Sequence, residues 1–109
     1  MSQSELSFSA PTTNVDGSAI TEALSYIAFI DTVNPPVKSY AVPAADVAAA
    51  VSGVITTKFT ELGFTPVNGT TYYVDVEATD QNGASAPTTV LSFVYQGPLP
   101  GAPTGLKVS

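Results

Sequence analysis

The sequence predicts an all-β chain. Three observations predict it. From Tyr72 to Thr79 the residues alternate, with Tyr72, Val74, Val76 and Ala78 on one side and Tyr73, Asp75, Glu77 and Thr79 on the other. A period of two with one apolar and one charged face is the pattern of a half-buried strand. The run from Leu24 to Asp31 alternates in the same way, with Leu24, Tyr26, Ala28 and Ile30 opposite Ile27 and Phe29. Turn-forming clusters punctuate these runs. Asn68-Gly69 precedes the first, and Asp80-Gln81-Asn82-Gly83 follows it and leads into the β-rich run Thr88 to Tyr95. Two strands joined by such a loop read as a hairpin.

The remaining elements follow in chain order. Leu6 and Phe8 alternate with serines until Ala10-Pro11 ends the strand. Thr12 to Glu22 is a polar loop that turns at Asp16-Gly17. Asn34-Pro35-Pro36 breaks the chain after the second strand, and Val37 to Val42 forms another, closed by Pro43. Ala44 to Ser52 is rich in alanine and lacks alternation, which predicts a short helix, with a loop as the alternative. Pro43 or Ala44 suits its first turn. Val54 to Leu62, rich in threonine and β-branched residues, predicts a strand whose register Gly63 interrupts. Beyond Gln96 the composition changes to a stiff, turn-rich connector, Gly97 to Pro103. The chain thus divides into a strand-rich body over 1–96, a connector over 97–103 and one more short strand over 104–109.

A chain of 109 residues is one domain's worth. It has no cysteine, so no disulfide and no thiolate metal site. It has no histidine, the commonest general base and metal ligand. Nine acidic residues stand against three lysines, and there is no arginine. That balance argues against nucleic acid and anionic membrane as partners, because a phosphate-binding surface needs clustered basic side chains. No segment approaches the length of a membrane span. Met1 to Glu5 lacks the basic start and apolar run of an export signal.

Catalysis has little to stand on. A serine nucleophile needs a partnered base, and the usual one is missing. Asp75 and Glu77 could form a carboxylate pair, but alternating acids on a solvated strand face are the ordinary explanation. Asp80 and Asn82, joined by Asp16 or Glu77, could offer oxygen to calcium. Turn chemistry accounts for the same residues, and no calcium-loop spacing is present. The expectation is a non-enzyme with no cofactor and no metal.

Several segments resemble a known family. Thr-Thr-Tyr-Tyr-Val-Asp-Val-Glu-Ala at 70–78, then Asp80, Asn82-Gly83 and Ser85-Ala86-Pro87, look like strands F and G of a fibronectin type III domain. Leu-Ser-Phe-Ser-Ala-Pro at 6–11 resembles strand B, with Phe8 in place of the core tryptophan. Pro100 to Ser109 resembles strand A, here at the far end of the chain. The resemblance implies an immunoglobulin-like, fibronectin type III-like sandwich of two antiparallel sheets over 1–96, in the order B, C, C′, E, F, G, followed by an A-like strand. It implies a tyrosine corner at Tyr72, whose hydroxyl bonds back to the preceding loop. Phe64-Thr65-Pro66 stands where the family has Leu-x-Pro, with Val67 and Asn68 as two extra residues.

Two surfaces are candidate interfaces. If Tyr26, Ala28 and Ile30 point inward, then Ile27 and Phe29 point outward, with Tyr73 beside them and Val90 or Val94 joining. A contiguous exposed apolar surface marks partner sites. The alternatives are plain β-propensity, or cover by the alanine-rich segment. The second surface is the terminal strand, where Ala102, Pro103, Leu106 and Val108 would complete the sheet of the same or a neighbouring copy. The segment Leu6 to Gly17 and the Asp80 to Pro87 loop also look like variants on phage virion and bacterial surface proteins. The resemblance implies a structural or decoration protein of a bacteriophage particle, made in the host cytoplasm. Its partners would be its own copies or capsid and tail proteins. The alternative is a surface- or carbohydrate-binding accessory domain of a bacterial extracellular protein, with host glycans as ligands.

Overall fold

The computed structural model describes residues 4–108. Its elements in order are β1 (Glu5–Ser9), β2 (Ser25–Asp31), β3 (Ser39–Ala41), α1 (Ala44–Ala48), β4 (Val54–Lys58), α2 (Phe59–Leu62), β5 (Thr71–Asp80), β6 (Gly83–Ala84) and β7 (Leu91–Val94). All strand pairs are antiparallel. One sheet holds only β1 and β4. In the other, β2 lies between β3 and β5, while β6 and β7 share the far edge of β5.

The two sheets face each other across one core. Tyr26, Ala28 and Ile30 of β2 and Tyr72, Val74 and Val76 of β5 meet Ile55 of β4, with Leu6 and Phe8 of β1 packed beside them. The alternation in the sequence is thus the alternation of burial along β2. Aromatic rings fill the end of the core where β5 begins. Phe64 meets Tyr72 edge-on at 5.0 Å and Phe59 edge-on at 5.2 Å. Phe59 stacks on Phe93 at 6.0 Å. Each such pair adds about 0.5–1.5 kcal/mol beyond area burial.

The run from Val54 to Leu62 is two elements, not one strand. The Glu61 carboxylate accepts from the Lys58 N–H at 3.2 Å and closes a helical turn at the strand's end. Phe59 and Leu62, three residues apart, then both face the core. Gly63 ends the turn at φ 80°, a left-handed position that favours glycine. The alanine-rich segment does form a short helix, α1, over Ala44–Ala48. Its Asp46 accepts from the Thr57 hydroxyl at 2.8 Å, which satisfies a hydroxyl that is wholly buried on β4.

The last strand is also shorter than its β-rich sequence. Pro87 has no N–H to give, and the chain from Ser85 to Val90 is irregular. The ladder is held there by side chains. The Ser85 hydroxyl accepts from the Ala78 N–H at 3.0 Å, and the Thr88 hydroxyl from the Val76 N–H at 3.1 Å. Their backbone N–H groups donate back to the Ala78 and Val76 carbonyls. Of the strand expected over 104–109, Ser109 lies outside the described residues, and residues 104–108 pair with no strand. Residues 98–108 contain no strand and are exposed.

The hydroxyl of Tyr72 accepts from the Val67 N–H at 2.9 Å, so it ties the start of β5 to the loop before it. Replacing Tyr72 with Phe removes that acceptor and leaves a part-buried N–H without a partner. The expected loss is about 1–2 kcal/mol in urea unfolding. Tyr73→Phe, on the opposite face, should leave the midpoint unchanged in the monomer. Exchanged behaviour of the two variants would show that the faces of β5 are reversed.

Candidate functional site

The register of β2 against β5 builds the outer face of the larger sheet. Phe29 lies opposite Asp75, Ile27 opposite Glu77, and Asp31 opposite Tyr73. Directly opposed residues share a face, so Ile27, Phe29 and Tyr73 are neighbours on the outside. All three are half-buried. Val94, opposite Thr71, belongs to the same face and is 55% exposed. The alanine-rich helix does not cover this face, because α1 packs against β4. Both expected apolar positions on β2 and the tyrosine on β5 therefore come together in one surface.

That surface has a carboxylate at its centre. Asp75 is only 6% exposed, between Tyr73 and Glu77 along β5 and across from Phe29. No hydrogen bond reaches its side chain among the described residues. Burial pushes its pKa above the ordinary carboxylate value. A simple alternation argument misses this residue, because it places every odd-numbered acid of β5 in solvent. The signal available in the sequence was the aromatic and branched side chains at 27, 29 and 73, which shield whatever lies among them.

At the edge of the same face, Asp31 organises the turn from β2 to β3. Its carboxylate accepts from the N–H groups of Thr32, Val37 and Lys38 at 2.8, 3.3 and 3.2 Å. The bond from Thr32 is the main reason its pKa lies below the ordinary value.

The second candidate lies at the pole where β1 ends. The loops 11–22 and 80–88 enclose an open cleft of about 700 Å³, floored by Phe8, Leu24 and Tyr26. Glu22 lies in its wall. One of its oxygens accepts from the Gln81 amide at 2.6 Å, and the other is buried without a partner. Asp16 accepts from both the N–H and the hydroxyl of Ser18, and Asp80 accepts from the Asn82 N–H at 2.7 Å. These are turn-closing bonds, which occupy the same carboxylates that calcium would need. Among the described residues, no group of three acidic side chains is arranged to hold a metal ion.

The third candidate is the terminal segment. Asn68 fixes its point of departure. The Gly97 N–H donates to the Asn68 side-chain oxygen at 2.7 Å, and a Cβ at position 97 would stand 3.1 Å from that oxygen. Beyond it the chain leaves the body. Ala102 and Pro103 are exposed, and Leu106 and Val108 are 96% and 99% exposed. The structure thus separates the tail from Ile27, Phe29 and Tyr73 rather than joining them in one patch.

Comparison with protein-family models, with curated proteins and with solved structures finds no match. The functional reading therefore rests on residues and geometry.

Asp75 yields a prediction with a definite sign. Its folded pKa is raised, so the folded state binds more protons than the unfolded state between the ordinary and the raised value. Stability then falls as pH rises through that window. Asp75→Asn removes the charge, and should raise the denaturation midpoint above the window while leaving it unchanged below. An equal shift at every pH would show that burial of the charge is not the cause.

Proposed function

We propose that this chain is a non-enzymatic structural or decoration protein of a bacteriophage particle, built on a fibronectin type III-like sandwich. Its partners are its own copies or neighbouring capsid and tail proteins, met through the outer sheet face and the terminal segment. One observation carries the assembly reading. Ile27, Phe29 and Tyr73 share the outer face of the larger sheet, each half-buried, around Asp75. The strand order supports the family. With β1 as B, β2 as C, β3 as C′, β4 as E, β5 as F and β6 with β7 as G, every pairing fits that scheme. The hydrogen bond of Tyr72 to Val67 supports it further. The phage origin rests on the resemblance of the segments at 6–17 and 80–87.

A second reading is favoured by the cleft at the β1 pole. Its aromatic floor and polar walls suit a carbohydrate, as in an accessory domain of a bacterial extracellular protein. The two readings separate in a binding assay. Saturable binding to host cells or polysaccharide, lost on substitution of Glu22 or Asn82, supports the accessory domain. Recovery of the chain in purified particles, with no such binding, supports the virion protein.

The face itself is tested by Ile27→Lys and Phe29→Lys. Each new lysine lies opposite an acid, Glu77 or Asp75, so the fold is expected to hold. Self-association or attachment to the particle should fall at least tenfold. Unfolding of both variants would make this face core, and unchanged assembly would remove it as an interface.

A further inference from the structure

β1 has one open edge. The Phe59 N–H donates to the Ser4 carbonyl, and the Ala10 N–H to the Gly53 carbonyl, at the two ends of the β1–β4 ladder. In an antiparallel pair, hydrogen-bonded positions alternate. Leu6 and Phe8 therefore bond β4, and the backbone N–H and C=O groups of Glu5, Ser7 and Ser9 point away from it. Nothing pairs with them among the described residues.

The core beside this edge is also incompletely covered. Leu91 lies opposite Val74 on β7 and so shares the inner face, yet it is 64% exposed, whereas Val74 is 4% exposed. Leu6, Phe8 and Phe93 are only partly buried. A third strand beside β1 would satisfy the open backbone groups and cover this strip.

The chain carries a segment of the right kind. Thr104, Leu106 and Val108 alternate with Gly105 and Lys107, so one face is apolar and the other is not. The segment is exposed and unpaired. Its direction decides where it can pair. The exit at Gly97 lies at the pole where β1 begins, since Phe59 is hydrogen-bonded to Ser4 and its ring lies 6.4 Å from that of Tyr95. A strand antiparallel to β1 must start at the other pole. To reach it in its own copy the chain has to reverse and climb about 17 Å, the length of five residues. Gln96 to Pro103 spans at most about 26–29 Å fully extended, so reach alone does not exclude that return, and the course the chain takes is what bears on it. In the structure the chain instead continues outward, and its long axis measures 73 Å against 30 and 20 Å for the others. A copy stacked below in the same orientation presents the end of its β1 first, and the arriving tail then runs antiparallel to it.

We propose that residues 102–108 of one copy add as a strand to the open edge of β1 in the next copy, with Leu106 and Val108 covering Leu6, Phe8 and Leu91. Ala102 and Pro103 lead the strand in. The contact is head-to-tail, so it generates a ring if the rotation closes and a filament if it does not. The proposal names a partner and a site within the assembly reading, and it does not depend on phage origin.

Two variants of the full chain test it. Leu106→Asp with Val108→Asp disables the donor segment. Ser7→Pro disables the acceptor edge, because the Ser7 N–H faces outward and proline is tolerated at such an edge. On a Phe29→Lys background, which removes association through the outer face, the parent chain should sediment as an oligomer, and each variant alone as a monomer with native circular dichroism. Mixed in equal amounts, the two should form a dimer, since one retains the edge and the other retains the tail. If Ser7→Pro fails to fold, a labelled peptide of residues 101–109 should instead bind the donor-disabled variant saturably. A monomeric parent chain, oligomers that survive in both variants, or absence of dimer and of peptide binding would each overturn the proposal. The Ile27 and Phe29 variants test the outer face independently, so failure here leaves that result distinct.

Discussion

The pairing of β2 with β5 is the constraint from which the rest follows. Seven consecutive positions, Ser25 to Asp31, lie opposite Thr79 to Tyr73. A slip of one residue would turn Asp75 and Glu77 toward Ile55 and send Val74 and Val76 outward. That register would bury Glu77 as well as Asp75 and give up the burial of Val74 and Val76, which disfavours it. Both ends of β5 are pinned as well. The bond from the Val67 N–H to the Tyr72 hydroxyl holds the beginning, and the turn at Asp80 to Gly83 holds the end. Gly69, at φ 78°, sets the turn that brings its N–H to the Tyr95 carbonyl. The same pole thereby fixes where β5 starts and where the terminal segment departs.

The sandwich is asymmetric in width. Among the described residues one sheet has two strands, while the other sets β3, β2 and β5 side by side with β6 and β7 along the outer edge of β5. At about 4.8 Å per strand, the narrow sheet covers roughly half of the wide one. Helices and loops fill part of the difference. Val42, Leu62 and Phe64 are buried, and Val47 packs beside them. On the β1 side no described strand fills it, and Leu91 is 64% exposed. Among the described residues, an open strand edge and an exposed inward-facing leucine thus occur on the same fold, and the proposed strand addition would answer both.

Much of the strand framework was legible because it depends on period. The alternations at 24–31 and 72–79, the serines of β1 and the turn clusters each state a face or a boundary locally. What was not legible depends on partners distant in sequence. Phe59 to Leu62 reads as strand by propensity, yet the Glu61 carboxylate and the aromatic rings of Phe64 and Phe93 select a helical turn. The hydroxyls of Ser85 and Thr88 replace ladder geometry that no periodicity reports. At the candidate sites, Ile27, Phe29 and Tyr73 could be grouped from alternation, but the burial of Asp75 could not. Its place directly across from Phe29 follows from the register, which alternation alone does not supply.

Asp75 and the open β1 edge place different demands on whatever this chain meets. The edge offers unsatisfied backbone groups beside apolar side chains, and any extended segment with alternating apolar residues answers both. The outer face is more selective. A partner pressed onto Ile27 and Phe29 would strip the remaining water from Asp75, and a carboxylate with no internal donor then needs one from outside. An apolar partner without a lysine, an arginine or a polar N–H at that point would pay more in desolvation than it gains from the surrounding aromatic and aliphatic surface. If both proposed contacts are made, residue 75 would select partners by chemistry where the edge would select them by shape.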